Sequence, residues 1–318
     1  IGWDAVSTNA DSDIVLNQEV LRQRSRDLSM NESLANGALK KIVTNVIGGG
    51  LNLNAQINHK FLGIKRKKAE KIEEQIEFEF SLWADNAYCC DSAGTLNFHD
   101  LQRLVLTSVL VSGDVFVFLP SFERKNSIYD LKLKLVESDR IQDPPAKDMT
   151  KNILGGIEVD TKTGLPTHYH VVNQLPNAVN FAQIQPTEWL SIPVRGEKSG
   201  RLNVLHLFTA ERPEQRRGIP ILSPVIKLFK QLGHYSEAEI MAAVVSGMLA
   251  FTIESENPTQ QPFQDWPKDP RSNIKYDNVS MSPGMILTLK RGDKVNMLNP
   301  SRPNPNYENF INIILKQI

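Results

Sequence analysis

The spacing of apolar residues changes twice along the chain, and this limits the folds that the chain can adopt. In residues 65–86 the apolar positions recur three or four apart, at Ile72, Ile76, Phe80 and Trp83, which is typical of a helix. From residue 115 to residue 208 they form short runs or alternate strictly, which is typical of strands. Helical spacing returns at Ser223. This order predicts an α+β fold with a small, mostly antiparallel sheet.

Turn and capping residues divide these regions into individual elements. The predicted helices cover residues 14–27, 29–47 (starting at a capping box in 29–32), 65–86, 97–111, 223–248 and a last one from 306. The predicted strands cover residues 51–57, 115–119, 131–135, 157–160, 166–172, 189–193 and 204–208, and a later hairpin pairs 285–289 with 295–298. The second helix is expected to bury Leu34, Ala38, Ile42 and Val46.

The balance of charges argues against a protein that grips DNA tightly. Lys and Arg together number 36, and Asp and Glu also number 36, so the formal net charge is zero. Tight binding to duplex DNA uses about six to ten phosphate contacts, and no stretch of the sequence concentrates that many cations. Any contact with nucleic acid is therefore expected to be loose. The longest apolar run is shorter than the ~18 residues of a membrane span, so we expect no membrane partner.

The two cysteines, Cys89 and Cys90, are adjacent in the sequence. Adjacent cysteines rarely form a disulfide, and the sequence lacks a CxxC pair or other metal-ligand spacing. We expect two structural thiols and folding in a reduced, cytoplasmic environment. A cysteine nucleophile is disfavoured, because the one histidine near them in sequence is His99.

A metal site is the strongest argument for an enzyme. His168 and His170 alternate on a predicted strand, where both could share a face with Glu158 or Asp160 of the neighbouring strand. A third ligand is not assigned, and paired histidines on the surface of a strand are common. We expect neither metal nor cofactor. The competing interpretation is a metal-dependent hydrolase that uses His168, His170 and His206.

Residues 211–220, ERPEQRRGIP, place three arginines and two glutamates directly before a long helix. The simplest interpretation is a solvated loop between two domains. The sharper one is a salt-bridge centre between domains or subunits, made by Arg212, Arg216 and Arg217, because arginine pairs bidentately with carboxylates. Carboxylates are expected as partners in preference to DNA phosphates, since Glu211 and Glu214 would repel phosphate. Gly218 is expected to supply a positive φ.

The second half of the helix 223–248 is rich in small residues, which allow another helix to approach closely. They are Ala238, Ala242, Ala243, Ser246 and Gly247. The helix carries two lysines against two glutamates, and residues 249–300 carry six cations and six anions. Both regions are therefore neutral.

Four stretches resemble, in order, the lambda-type portal proteins of tailed bacteriophages. They are LRQRSRDLSMNESLANGALKKIVTNVIGGGLNL, LWADNAYCCDSAGTLNFHDLQRLVLTSVLVSGDVFV, ERPEQRRGIP with the helix after it, and LNPSRPNPNYENFINIILKQI. The resemblance implies a portal-type architecture: a wing domain (residues 1–218), a stem helix (219–248), a clip (249–303) and the start of a second stem helix (304–318). Family members run well beyond 318 residues, so it also implies that further stem, wing and crown segments lie outside this sequence.

The resemblance further implies a non-enzymatic function. Portal subunits form a ring, typically a dodecamer, at the capsid vertex of the virion, after assembly in the host cytoplasm. The ring conducts double-stranded DNA during packaging and ejection, without sequence specificity. Its implied partners are the large terminase subunit, a head–tail connector protein and the major capsid or scaffold protein. A capsid or tail scaffold protein without a central helical stem is a third interpretation.

The predicted clip contains candidates for docking the terminase motor. Phe263 and Trp266 are aromatic residues in a proline-rich loop, and aromatic residues are favoured interface anchors. Lys268 and Arg271 lie next to them in sequence. The alternative is a local aromatic cluster folded onto the predicted hairpin.

Overall fold

The computed structural model describes residues 8–145, 151–173, 188–248, 252–254, 294–296 and 306–318. The chain divides into two compact units, Ile1–Ile226 and Lys227–Ile318. Within the described ranges, no helix combines the length and apolar character needed to cross a membrane. The mixture of helices and antiparallel strands confirms the predicted α+β class.

Five α-helices occupy the first half of the first unit: α1 (Ala10–Asn31), α2 (Ser33–Val46), α3 (Arg66–Ala84), α4 (Ala87–Cys90) and α5 (Phe98–Ser112). Asn9 caps α1 by accepting a hydrogen bond from the Ser12 N–H, and Asn97 caps α5 in the same way through Asp100. The predicted capping box at residues 29–32 is wrong. α1 continues through those positions, and the side chain of Glu32 makes no capping hydrogen bond to α2.

The buried face of α2 also differs from the prediction. Ala35 and Leu39 are buried, whereas Leu34 and Val46 are exposed. The apolar residues of this helix cover more than one face, so their spacing alone did not determine which face packs. On α3 and α5 the aromatic residues do cluster, because Phe80, Trp83 and Phe98 have ring centroids 5.3–5.7 Å apart.

Seven strands follow, in two sheets. They are β1 (Asp114–Phe118), β2 (Lys134–Val136), β3 (Asn152–Leu154), β4 (Ile157–Val159), β5 (Pro166–Val172), β6 (Trp189–Pro193) and β7 (Val204–Phe208). One sheet has the order β2-β1-β7 and the other the order β3-β4-β5-β6, with every strand pair antiparallel. The predicted strands from residue 115 onward are thus largely confirmed, but they form two sheets where one was expected.

The core of the first unit lies between these two sheets. Phe116 and Phe118 of β1 pack on one face of their sheet against Tyr169 and Val171 of β5. The Phe116 and Tyr169 rings meet edge to face, with centroids 5.2 Å apart. Because side chains alternate along a strand, Val117 points to the opposite face of β1, the side on which α5 lies.

The predicted strand at residues 51–57 is wrong, because this segment pairs with no strand in the described part of the chain. Its backbone instead bonds to side chains. The N–H groups of Ala55 and Ile57 donate to Glu77 and Glu73 of α3 at 2.8 Å and 2.6 Å. The two glutamates are one helical turn apart, a distance that two residues of extended chain span. The segment therefore runs extended along α3. Its residues alternate as in a strand, but its backbone bonds to the side chains of the helix.

The second unit contains α6 (Ile226–Met248), β8 (Thr252–Glu254) antiparallel to β9 (Lys294–Asn296), and α7 (Tyr307–Gln317). A short 3₁₀ turn, Ser223–Val225, precedes α6, so the α-helix begins at Ile226 and not at Ser223 as predicted. The Tyr235 ring of α6 packs against Tyr307 and Phe310 of α7, with centroids 5.7 Å and 4.2 Å away. The helix predicted from residue 306 is confirmed, and the predicted strand at 285–289 lies outside the described residues.

Two glycines allow the end of α5 to touch the arginine segment. Gly113 ends α5 with a φ of 91°, a conformation that favours glycine. A methyl group on Gly113 would lie 2.6 Å from the carbonyl carbon of Gly218, and one on Gly218 would overlap the Gly113 carbonyl oxygen. Gly218 itself has no positive φ, contrary to expectation. Its function is to allow close approach of two backbones.

Gly218→Ala should therefore destabilise the protein through overlap alone, by ~1–3 kcal/mol, as overpacking in a filled core does. Gly37→Ala in α2, where no heavy atom lies within 4 Å of the added methyl, is the matched control. It should stabilise by ~0.5–1 kcal/mol because alanine favours helix. Urea unfolding of both variants tests this, and equal effects of the two would contradict it.

Candidate functional site: a buried arginine–aspartate centre

The segment that contains the three arginines packs against α1. Arg212 Nη1 lies 2.6 Å from Asp13 Oδ2, and Arg216 Nε lies 2.8 Å from Asp11 Oδ2. Both aspartates belong to the first turn of α1, where negative charge also interacts favourably with the helix dipole. The predicted pairing of these arginines with carboxylates is confirmed. The carboxylates belong to the same chain, and a role between subunits stays a prediction.

Arg217 is the centre of the site. Its side chain is 1% exposed, and that of Asp114, its partner at the start of β1, is 0% exposed. Arg217 Nε donates to Asp114 Oδ2 at 2.6 Å and Nη2 donates to Oδ1 at 3.2 Å, which is bidentate pairing. The remaining N–H groups donate to the carbonyl oxygens of Ser138, Ile141 and Gly155 at 2.6–3.0 Å. All five guanidinium donors are therefore satisfied.

Asp114 is held in its charged form. Burial raises the pKa of its carboxyl, but the positive charge of Arg217 and hydrogen bonds from His206 and Arg217 outweigh burial and hold the pKa well below its usual range. Oδ2 also accepts from the Gly218 N–H at 3.2 Å. The ion pair thus joins the arginine segment, β1 and the loops around Ser138 and Gly155.

A second ion pair ties α1 to the same region. Arg22 Nε lies 3.3 Å from Asp139 Oδ1, and Arg26 also pairs with Asp139. Burial, followed by the charge of Arg217, lowers the pKa of Arg22 to about 10. Gln18 of α1 donates to the Gly218 carbonyl oxygen at 3.1 Å. The side of α1 that faces the protein is therefore mostly polar.

His206 completes the centre from β7. Its Nε2 lies 3.3 Å from Asp114 Oδ2, and its ring stacks between Phe116 and Phe208 at 4.2 Å and 4.5 Å. Burial lowers its pKa more than Asp114 raises it. The ring is therefore neutral at neutral pH, and its Nε2–H donates a hydrogen bond to the Asp114 carboxylate.

The three histidines of the hydrolase interpretation do not converge. His170 Nε2 and Lys151 Nζ lie 3.2 Å and 3.0 Å from the Glu158 carboxylate, and His168 Nδ1 lies 3.8 Å from it. His206 belongs to the other sheet, on the side of β5 where Tyr169 points, opposite to His168 and His170. Within the described ranges, no group of three or more His, Cys, Asp or Glu side chains could hold a metal. The structure gives this interpretation no site.

The other predicted site residues lie in the second unit. Ala238 and Ala243 are exposed on α6, and Ala242 is half-buried. Ser246 lies on the same helix, and its side chain is outside the description. The motor-docking candidates Phe263, Trp266, Lys268 and Arg271 all lie outside the described residues. In the first unit, Cys89 and Cys90 are buried free thiols, and burial raises the pKa of Cys90 to about 11.

Asp114, Asp139 and Gln18 were missed at the sequence level. A charged residue at the edge of an apolar strand was the available signal for Asp114, which directly precedes VFVFL. A buried charge needs a partner, and the arginine-rich segment at residues 211–217 was a candidate, although it lies far from Asp114 in the sequence. Asp139 and Gln18 carry no comparable signal.

Comparison with known proteins assigns the family. The family model described as "Phage portal protein, lambda family" matches residues 1–318. The chain belongs to the lambda family of phage portal proteins. The resemblance of the four sequence stretches is thereby confirmed.

Individual portal proteins share about a fifth to a quarter of its residues. Portal protein B of Escherichia phage lambda is 24% identical over 81% of this chain, and the portal protein of Escherichia phage N15 is 21% identical over 100%. The probable portal protein of Halomonas phage phiHAP-1 is 24% identical over 99%. The chain spans 47%, 62% and 59% of the lengths of these relatives.

Solved structures of lower similarity also align with this portal-family chain. A chain in the "Neck of empty GTA particle computed with C6 symmetry" aligns with a TM-score of 0.45 and 11% identity, over 92% of this chain and 67% of that one. A chain in the "Neck of native GTA particle computed with C12 symmetry" aligns with a TM-score of 0.38 and 10% identity, over 74% and 61% of the two chains.

Arg217→Ala should destabilise the first unit by about 3–5 kcal/mol, because it leaves Asp114 buried and unpaired. Arg212→Ala is the matched control. Its ion pair with Asp13 is 44% and 51% exposed, so its loss should cost far less than the loss of Arg217. In a double-mutant cycle, Asp114→Ala combined with Arg217→Ala should cost less than the sum of the single changes. Additive effects in urea unfolding would contradict a direct pair.

The free energy of unfolding should depend on pH partly through the protonation of His206. Its folded-state pKa is lowered, so the unfolded chain binds the proton more readily and stability falls as the pH drops below about 6.5. His206→Phe retains the aromatic stack and cannot be protonated, so it should reduce the slope between pH 7.5 and 5.5. His170→Gln should remove a further part, since burial also lowers the His170 pKa. An unchanged slope in His206→Phe would contradict a buried neutral ring.

Proposed function

We propose that this protein is a subunit of the portal ring at the capsid vertex of a tailed phage. In this proposal the ring, a dodecamer, conducts double-stranded DNA during packaging and ejection. It docks the large terminase subunit first and a head–tail connector protein later, and it contacts the major capsid or scaffold protein. The protein is a virion component assembled in the host cytoplasm, and it catalyses no reaction. The observation that carries this proposal is the match of the family over the whole chain.

The surface of α6 supports a subunit contact. Ile240, Met241 and Val244 lie within five residues on one side of the helix, and their exposed fractions are 63%, 62% and 46%. Ala243 is exposed beside them. Exposed apolar side chains in a contiguous patch are typical of protein–protein contacts. In the proposed ring, this half of the stem helix packs against the stem helix of the neighbouring subunit.

Charge supports a conduit that does not hold DNA. A protein through which duplex DNA slides in both directions needs a low density of cations, because each phosphate contact adds affinity. On α6, Lys227 and Lys230 are balanced by Glu237 and Glu239. Residues 249–300, which make up most of the proposed clip, carry six charges of each sign. Both of these stretches are neutral.

We assign the parts of the chain accordingly. Residues 1–218 form the wing, 219–248 the stem helix, 249–303 the clip and 304–318 the start of the second stem helix. The boundary between the two compact units falls in the sequence between residues 226 and 227, within the proposed stem helix. Docking of the motor is assigned to the clip residues Phe263, Trp266, Lys268 and Arg271. Arg212, Arg216 and Arg217 stabilise the wing, from which the ring is built.

Ala243→Leu should weaken ring assembly while leaving the subunit folded. In a closed ring the overpacking cost of ~1–3 kcal/mol recurs at every interface. Ala38→Leu is the matched control, because Ala38 is also exposed on a helix, α2, in the first unit. Native mass spectrometry and negative-stain microscopy of the full-length protein would measure ring content, and circular dichroism would measure folding. Normal rings in Ala243→Leu would contradict the proposed stem contact, and a full-length protein that forms no ring would contradict the function.

A further inference from the structure

Within the described residues, β7 pairs with β1 on one side and with no strand on the other. Leu202 and Asn203, directly before it, pair with Arg195 and Val194, so the free edge is limited to Val204–Phe208. In an antiparallel edge strand, every second residue directs its N–H and C=O away from the neighbouring strand. No described residue bonds to these outward backbone groups of Val204–Phe208. Such an edge is a template for the addition of another strand.

Two cavities open on the two faces of β7. Leu205 and Leu207 line an apolar groove of about 390 Å³ between the sheet and α5. His206 and Phe208, which alternate with them, line a cleft of about 720 Å³ on the opposite face. The polar wall of this cleft includes Asn152, Asp160 and Lys162. A strand added to β7 would therefore direct alternate side chains into an apolar groove and a polar cleft.

The chain contains a segment with this pattern. Residues 51–57 read Leu-Asn-Leu-Asn-Ala-Gln-Ile, strictly apolar then polar. The N–H groups of Leu51, Ala55 and Ile57 bond to side chains of α5 and α3. Because successive N–H groups of an extended chain point in opposite directions, those of Asn52, Asn54 and Gln56 face away from the helices. No described residue bonds to their backbone groups.

The same contacts hold residues 51–57 beside the apolar groove of their own chain. They also keep the segment from pairing with β7 of that chain. Gln102 of α5 both accepts from the Leu51 N–H, at 2.8 Å, and donates to the Leu51 carbonyl oxygen, at 3.2 Å. Gln102 and Leu51 both belong to the groove wall. Both the oxygen and the nitrogen of the Gln102 amide are therefore bonded to Leu51. Because this amide is satisfied, the groove favours an apolar occupant. Within one chain, the donor segment and the free edge are two separate surfaces.

We propose that residues 51–57 of one subunit add as a strand to the free edge of β7 of the next subunit. Leu51, Leu53 and Ala55 enter the apolar groove, and Asn52 and Asn54 face the polar cleft. Main-chain hydrogen bonds supply the attraction, and the two cavities set the register, as in other cases of strand addition. Donor and acceptor are different surfaces of one chain, so the contact is head-to-tail, the type that closes into rings. This inference rests on the proposed function of a ring subunit.

Disulfide trapping between differently tagged chains tests the pairing directly. One full-length chain carries Leu53→Cys and the other carries Leu205→Cys or Leu207→Cys, on the face toward the groove. Mild oxidation should give a mixed disulfide with at least one of the two partners. Asn54→Cys in place of Leu53→Cys is the matched control. Its side chain points to the opposite face, so its yield should be at least several-fold lower. Chains with only Cys89 and Cys90 give the background.

A proline variant tests the same contact without thiols. Asn54→Pro removes an N–H that bonds to no described residue, so the subunit should fold normally while ring content falls severalfold. Asn54→Ala keeps the N–H and should assemble like the wild type. If rings form without a disulfide between subunits, and Asn54→Pro assembles normally, the strand addition is overturned while the portal function stands. A disulfide between two chains of a protein that never forms rings would support the strand pairing and overturn the ring. If neither rings nor this disulfide formed, both the strand pairing and the ring function would be overturned.

Discussion

The pairing of Arg217 with Asp114 connects more of the first unit than any other contact within the described residues. Both side chains are withdrawn from water, and desolvating two charges costs several kcal/mol per ion. Only a complete set of partners offsets that cost. Arg217 satisfies five donors with one carboxylate and three carbonyl oxygens, while Asp114 accepts from Arg217, Gly218 and His206. The backbone around this pair must therefore hold its position closely.

This constraint explains features that look unrelated along the chain. Gly113 and Gly218 are required because their backbones touch, next to the carboxylate and the guanidinium. The short turn at Ser138–Arg140 supplies both a carbonyl acceptor for Arg217 and the carboxylate that pairs with Arg22 and Arg26. The inward side of α1 is polar because its partners are charged. A buried ion pair adds little net stability compared with apolar residues of the same size. In this protein it joins α1, both sheets and the segment before α6 in one arrangement.

In the proposed ring, such rigidity has a use. The ring would repeat each subunit contact, so a small error in the shape of a subunit would accumulate around it. The proposed contact surfaces, the edge of β7 and the segment 51–57, both belong to the unit that the Arg217 centre organises. His206 links the Arg217 centre to the edge of β7. Its imidazole bonds to Asp114 and also lines the cleft beside that edge.

Much of the secondary structure followed from the sequence alone. Short-range periodicity identified α3, α5 and the strands β5, β6 and β7, because side-chain alternation reflects which face is buried. The collinear stretches identified the family. The three arginines were recognised as partners of carboxylates, because guanidinium geometry favours them. Periodicity could not determine the rotation of α2 or the division of the strands into two sheets, since both depend on contacts between residues far apart in the chain.

The tertiary structure alone decided which carboxylate meets which arginine. Arg217 and Asp114 are 103 positions apart, and no local pattern links two residues at that distance. The segment 51–57 shows the same limit from the other direction. Its alternation is that of a strand, yet side chains of α3 and α5 bind its backbone, and no strand among the described residues pairs with it. Sequence determines what each segment can form, and the long-range hydrogen bonds available to its backbone determine what it does form.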